Sequence, residues 1–363
     1  MRESAIYRVV ADFQDVFENR NNNFAVIKVL AAIAVSYGHS FALSPSSGAQ
    51  DVFITELTGG NFYTGSLAVS IFFFISGALV TSSLLRLKSP LRFAIHRIFR
   101  IYPALLVSLA ITSVAVIVTH LTKVDLRQLF SWFLINGAGG FNQWSVGGVF
   151  TSNTRFDALN GSLWSVSLEL RIYLIVAVVS ALLVTVKKST ALIFHVALIF
   201  YSQLRADLLP LIGSDAATFG NPDFHKYVLF YALGAVFYLS RIGEIRPTLS
   251  LLLAGSAFFA WFFLGLDLIV LQLSICLLIL GLAKISIQGA GRLKSDISYG
   301  YYLYAWPVGQ FVNMYVPVMS PVTHFLITLS LTAPLAVLSW VLIEKRFMGL
   351  GRVYLANWAK RIR

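Results

Sequence analysis

The chain has 363 residues and a formal charge of +12. Hydrophobic residues make up 57 % and charged residues 12 %, with a mean hydropathy of +0.76; that is about half the charged share of an ordinary soluble chain. Soluble secreted scaffolds, disordered tails and cytosolic enzymes are excluded together, and an all-α polytopic membrane helical bundle remains. A single cysteine, Cys276, rules out an internal disulfide and any cysteine-based metal cluster. It sits in an apolar run and reads as packing. The positive charge is accounted for by basic loops on the cytoplasmic side, and no nucleic-acid partner is expected.

In chain order, residues 1–25 form a cytoplasmic N-terminal segment. It carries Glu3, Asp12, Asp15 and Glu18, so no secretory leader is expected there. A membrane domain follows over 26–343, and a basic cytoplasmic tail over 344–363. A spanning helix needs about 20 mostly apolar residues. Ten stretches are predicted to span: 26–43, 67–85, 101–119, 163–186, 190–204, 227–240, 248–265, 268–285, 297–317 and 322–343. The stretch 129–135 is too short to cross and is expected at the interface. With both termini in the cytoplasm, twenty-one Lys and Arg fall on the inner side and five on the outer. That asymmetry sets the orientation and the even number of spans. The external loop 120–162 is rich in Gly, Asn, Ser and Trp, a composition that suits either a connector or a sugar-facing surface.

Ionisable side chains inside spans are functional candidates by default. The first span holds Lys28 and His39, eleven residues apart. That is about 20° beyond three turns, so both lie on one face, about 16 Å apart along the axis. A snorkelling lysine and a satisfied interfacial histidine account for the pair equally well. The fourth span reads GSLWSVSLELRIYLI. Glu169 and Arg171 are two apart and face different ways, whereas Ser165, Glu169 and Tyr173 share a face. Glu169 and His39 reach similar depth from the outer side, about 9 and 6 Å below Leu163 and Leu43. A carboxylate at an imidazole's level would orient it and raise its basicity. A buried ion pair that only locks helices is the alternative.

The segment RLKSPLRFAIHRIFRIYP is strongly basic. Arg86 and Lys88 read as ordinary inner-side charge. Arg97 and Arg100, at i,i+3, put two guanidinium forks on one helical face, a geometry suited to phosphate oxygens or to anionic lipid. His96 adjoins this pair, His120 and His324 sit at span ends, His225 lies in an external loop, and His195 has no partner nearby in sequence. No metal-ligand spacing, Walker loop or GxSxG elbow is present, and no metal site is expected.

Taken together, four segments resemble the integral-membrane acyltransferase 3 family. They are Lys28 and His39 in FAVIKVLAAIAVSYGHS, the aromatic FFFISGALV at 72–80, Arg97 and Arg100 in HRIFRIYPAL, and NGSLWSVSLE ending at Glu169. The C-terminal DISYGYYLYAWPV and LSWVLIEKRF resemble the family's last two spans. The chain departs from the family's pattern at Ala25, where an acidic residue is common, at Lys28, where arginine is common, and at Ala305, where some members have histidine.

The resemblance implies transfer of an acyl group, commonly acetyl, from cytoplasmic acyl-CoA to a sugar hydroxyl of a surface or lipid-linked polysaccharide, in a bacterial inner membrane. Acyl-CoA is then a co-substrate, and no cofactor is permanently bound. His39 and Glu169 become the catalytic candidates, and Lys28, Arg97 and Arg100 the candidates for the donor phosphates. Trp164, Ser165, Arg171 and Tyr173 stand beside them. Membrane lipid, acyl-CoA, a glycan or lipid-linked sugar and polysaccharide-assembly proteins are the expected partners. Two mechanisms stand open, His39 as general base or as acyl-carrying nucleophile. A secondary transporter or flippase with the same charges lining a path is the competing class, and a membrane-embedded assembly partner is a third.

Overall fold

The computed structural model describes residues 16–17, 22–44, 51–153, 157–182, 187–212, 224–285, 295–316 and 319–361. Several residues of the charge tally (Arg2, Arg8, Arg20, Arg155, Arg292, Lys294 and Arg363) lie outside them, as do residues 183–186 and 317 of two predicted spans. Among the described residues there is no strand. Each of the ten predicted stretches is helical: α1 (Phe24–Leu43), α3 (Thr64–Leu87), α4 (Pro90–His120), α6 (Leu163–Leu182), α7 (Lys188–Ile212), α8 (Phe224–Leu239), α9 (Pro247–Leu264), α10 (Leu268–Lys284), α11 (Ser298–Tyr315) and α12 (Pro321–Ser339). The short helices α2 (Val52–Leu57) and α5 (Leu126–Ala138) stand between them. From α12 the chain continues through a π turn, Trp340–Glu344, into α13 (Lys345–Arg361).

Among the described residues, six helical stretches are long and apolar enough to cross a membrane: α1, α3, α4, α6, α9 and the run Pro321–Trp358. Of the rest, α8 and α10 are apolar but shorter, and α11 is too rich in Tyr, Gln and Asn.

Helix starts follow local chemistry. Ser89 caps α4 by accepting from Arg92 N at 3.3 Å, with Pro90 in the first turn. The helix that carries the third span therefore begins eleven residues before the predicted 101, and residues 90–100 of the basic segment belong to it. Asp125 caps α5 through Arg127 N and Gln128 N, and Gly139 closes it at φ 75. The interfacial stretch 129–135 lies inside α5. Leu129, Trp132 and Asn136 are its buried side, and Leu126, Phe130 and Leu134 its exposed side.

The chain divides into two compact units. In described residues the first holds 16–17, 22–28, 70–88, 187–212 and 224–285; the second holds 29–44, 51–69, 89–153, 157–182, 295–316 and 319–361. The first unit is locked by a glycine crossing of α3 and α8. A Cβ on Gly77 would stand 1.9 Å from the Tyr231 carbonyl oxygen, and one on Gly234 1.9 Å from that of Phe74. Small residues let backbones touch where lipid gives helices no hydrophobic reason to associate. Asn23 ties the start of α1 to the end of α10 through Leu282 O (2.9 Å) and Ile285 O (2.7 Å).

The second unit is organised around α11, most of which is buried. Several of its polar side chains bond to neighbours. Gln310 Nε2 donates to Ala158 O at 2.8 Å, Asn313 Nδ2 to Leu43 O at 2.5 Å, and Asn153 Nδ2 to Gln310 Oε1 at 2.7 Å. His324 is also structural here, with Nδ1 on Ser40 Oγ and Nε2 on Gly309 O, both at 3.0 Å.

Gly234→Leu must force α3 and α8 apart. It is expected to cost about 1–3 kcal/mol, read as a lower melting temperature in detergent. Gly255→Leu, at a position with no atom near its Cβ site, is expected to be neutral in the same assay.

Candidate active site

Within the second unit, side chains of α6 and α11 form one line, joined where Ser165 meets Tyr302. On α6 the line is Ser165, Glu169 and Tyr173, one turn apart; on α11 it is Trp306, Tyr302 and Tyr299. Ser165 Oγ and the Tyr302 hydroxyl are 2.6 Å apart and share a hydrogen bond, and Ser162 O, 3.2 and 3.1 Å from them, accepts from whichever of the two does not donate to the other. The turn before α6 is built for this meeting. Asn160 Nδ2 donates to Leu303 O at 2.9 Å, while its Oδ1 accepts Ser162 N at 3.0 Å. Gly161 lies flat against an indole: a Cβ there would stand 2.4 Å from the Trp306 ring.

That indole braces the histidine. Trp306 Nε1 donates to Ala158 O at 3.0 Å, and the ring meets His39 edge to face, with centroids 4.7 Å apart and planes at 79°. His39 is half-buried, and its Nδ1 is enclosed without a hydrogen-bond partner. The Glu169 carboxylate lies elsewhere on the line. It accepts from the Tyr173 hydroxyl and is within electrostatic reach of Tyr302 and Tyr299. No hydrogen bond joins His39 to Glu169, so the direct contact expected from their matching depth is absent. Trp306 occupies the flank of the imidazole instead.

The two arginines separate sharply. Arg97 stacks over Phe93 and Tyr173, each 5.4 Å from its Cζ. Its Nε is enclosed and makes no hydrogen bond. Arg100 is consumed by the protein. Nη2 meets Asp296 Oδ2 at 2.9 Å, and Nη1 lies 3.8 Å from Glu344 Oε2. Ser298 holds the other Asp296 oxygen at 2.5 Å, and Ser339 holds Glu344 Oε1 at 3.1 Å. A guanidinium between two carboxylates is a poor ligand for phosphate, which runs against the sequence expectation for Arg100.

Arg171 points away, as its spacing from Glu169 required. Its Nε donates to Gly140 O at 2.8 Å, and its Cζ stands 5.7 Å from the Phe141 ring. Trp164 is half-buried beside Ser165. Lys28 lies on α1 in the first unit. Among the described residues no three His, Cys, Asp or Glu side chains come together as a metal site.

Sequence reasoning assigned no role to Trp306, Tyr302, Asp296 or Glu344. Asp296 and Glu344 carried one legible signal, as acids beside spans on a strongly basic side. Trp306 and Tyr302 carried none, because their partners lie more than a hundred residues away.

A family model described as an acyltransferase domain matches residues 21–342, and its match takes in every residue of this line. The chain belongs to the acyltransferase 3 family. It is similar to a protein of Shigella phage Sf6 named O-acetyl transferase, with 28 % identity across 91 % of this chain and 97 % of that one. It is also similar to nodulation protein 10 of Rhizobium leguminosarum bv. viciae, with 25 % identity across 91 % of this chain and 94 % of that one. No solved structure matches it. The protein is thus an integral-membrane O-acyltransferase.

Asp296→Asn leaves Arg100 facing Glu344 alone and removes a charge-assisted hydrogen bond. A loss of about 1–3 kcal/mol is expected, measured by thermal unfolding. Arg97→Ala, which breaks only ring stacking, is expected to lower stability less than Asp296→Asn does.

Proposed function

We propose that this acyltransferase moves an acetyl group from acyl-CoA at the inner face of a bacterial inner membrane to a sugar hydroxyl on the outer side. The observation that carries the reading is the line from Arg97 to His39 inside one unit. An arginine with an unsatisfied donor begins it, and a braced imidazole ends it. Between them, Ser165, Glu169 and Tyr173 span eight residue steps of α6, about 12 Å, and Tyr302 of α11 stands beside Ser165. Coenzyme A has the matching form, with anionic phosphates at one end and a long uncharged arm to its sulfur. Arg97 binds the phosphates, and Asp296 and Glu344 hold Arg100 so that α4 presents Arg97 correctly.

At the other end His39 acts as general base. It takes the proton of the sugar hydroxyl as that oxygen attacks the thioester carbonyl. The tetrahedral intermediate then collapses, the carbon–sulfur bond breaks, and the imidazolium returns the proton to the departing thiolate. Trp306, packed edge to face against the imidazole, fixes the ring. Glu169 adds negative charge nearby, and its contribution is electrostatic rather than through a direct hydrogen bond. The excess of Lys and Arg on one side supports the orientation. The name of the Sf6 relative supports acetyl as the group and oxygen as the acceptor atom. A lipid-linked or surface polysaccharide is the proposed acceptor class, with polysaccharide-assembly proteins as neighbours.

His39→Ala is expected to lower transfer by about 10²–10⁴ while coenzyme A still binds. Arg97→Ala is expected to raise KM for acetyl-CoA by about 10–100-fold with a smaller effect on kcat. Radiolabelled acetyl transfer by purified protein, with coenzyme A binding measured separately, reads both. Parental activity in His39→Ala ends the general-base reading. Acetyl mass trapped on His39 in the absence of acceptor replaces it with the covalent one. No turnover of acetyl-CoA by the parent protein would favour a transporter.

A further inference from the structure

Two helices of the second unit are longer than a membrane needs. The 31 residues of α4 and the 38 residues of Pro321–Trp358 amount to about 46 and 57 Å, against a hydrocarbon core of about 30 Å. Their surplus ends pair antiparallel. Arg100 Nη1 reaches Met348 Sδ at 3.4 Å, and Gly351 sits under Phe99, where a Cβ would be 2.8 Å away. Phe99 meets Tyr354 at 6.2 Å between centroids, and Arg92 lies 5.2 Å over Trp358. One side of α13 (Met348, Gly351, Leu355) is thereby used.

The neighbouring side is apolar and bare. Phe347, Leu350 and Tyr354, spaced i, i+3 and i+7, are 39, 56 and 53 % exposed. On α4, Leu91 and Ile98, also seven apart, are 56 and 51 % exposed. Arg346 borders the apolar flank of α13, and Lys345 and Arg352 share the side opposite it; all three are exposed. A helical pair projecting into water would not keep five large apolar side chains bare in so basic a segment. An amphipathic helix in the plane of a membrane surface has this division of faces.

We propose that α13, with the first turns of α4, lies on the membrane surface and binds anionic phospholipid. Leu350, Tyr354 and Phe347 enter the acyl boundary, Arg346 meets headgroup phosphate, and Lys345 and Arg352 add attraction across the helix diameter, about a Debye length. The surface is independent of the donor reading. If both hold, lipid charge reaches Arg97 through the packing of α13 on α4.

The test is hydrogen–deuterium exchange of the full chain in nanodiscs of phosphatidylcholine alone and of phosphatidylcholine with phosphatidylglycerol. Backbone amides of 346–358 are expected to exchange on the order of tenfold more slowly with the anionic lipid. The triple variant Lys345→Gln, Arg346→Gln, Arg352→Gln is expected to lose that difference. Leu350→Ser with Tyr354→Ser is expected to exchange quickly in both. Amides of α6 and α11 serve as the folding control, and Arg346→Gln alone replaces the triple variant if that control fails. Equal exchange in the two lipids overturns the proposal. So does protection that follows protein loading with a dimer seen by mass photometry, since a second copy would then cover the face.

Discussion

The second unit depends on giving partners to the polar side chains of one buried helix where water is scarce. α11 carries more tyrosine, asparagine and glutamine than a lipid-facing helix tolerates. It is stable because Asn153, Ala158, Asn160 and Ser162 supply donors and acceptors along its length. The same bonds fix Trp306 and Tyr302, so the order of the site follows from satisfying the helix. Breaking one such bond leaves its partner orphaned at a cost of about 1–3 kcal/mol, which is why this helix and the turn before α6 act as one piece.

Charge is allotted by the same rule. Arg100 and Arg97 are one helical turn apart and identical in chemistry, yet one meets two carboxylates and the other stacks on rings with a donor unused. The first makes α4 part of the unit. The second is left with unspent capacity in a place where anions are otherwise repelled by Glu169, Asp296 and Glu344.

Much of this was legible in the sequence because it depends on period and spacing. The helices follow from apolar runs, and the shared face of Ser165, Glu169 and Tyr173 follows from 3.6 residues per turn. The opposed directions of Glu169 and Arg171 follow from the same rule. Pairing across the unit was not legible. Depth along two helices placed His39 and Glu169 at one level, but depth carries no information on azimuth, and Trp306 took the position beside the imidazole. The difference between Arg97 and Arg100 was hidden for a related reason, because Asp296 and Glu344 approach from segments some two hundred residues away. The start of α4 was missed because the basic residues masked a Ser-Pro cap.

The glycines show why shape and chemistry cannot be separated here. Gly161 admits the Trp306 ring, and Gly300 admits Glu344 Oε1 to 3.0 Å of where a side chain would begin. Each sits beside a residue whose position matters to one end of the line, the imidazole in the first case and the Arg100 clamp in the second. A methyl at Gly161 would displace the indole and so turn the His39 ring; one at Gly300 would push Glu344 from Arg100 and loosen α4. The two ends are thus set by close approaches to glycine backbone, and the polar line between them is only as straight as those two approaches allow.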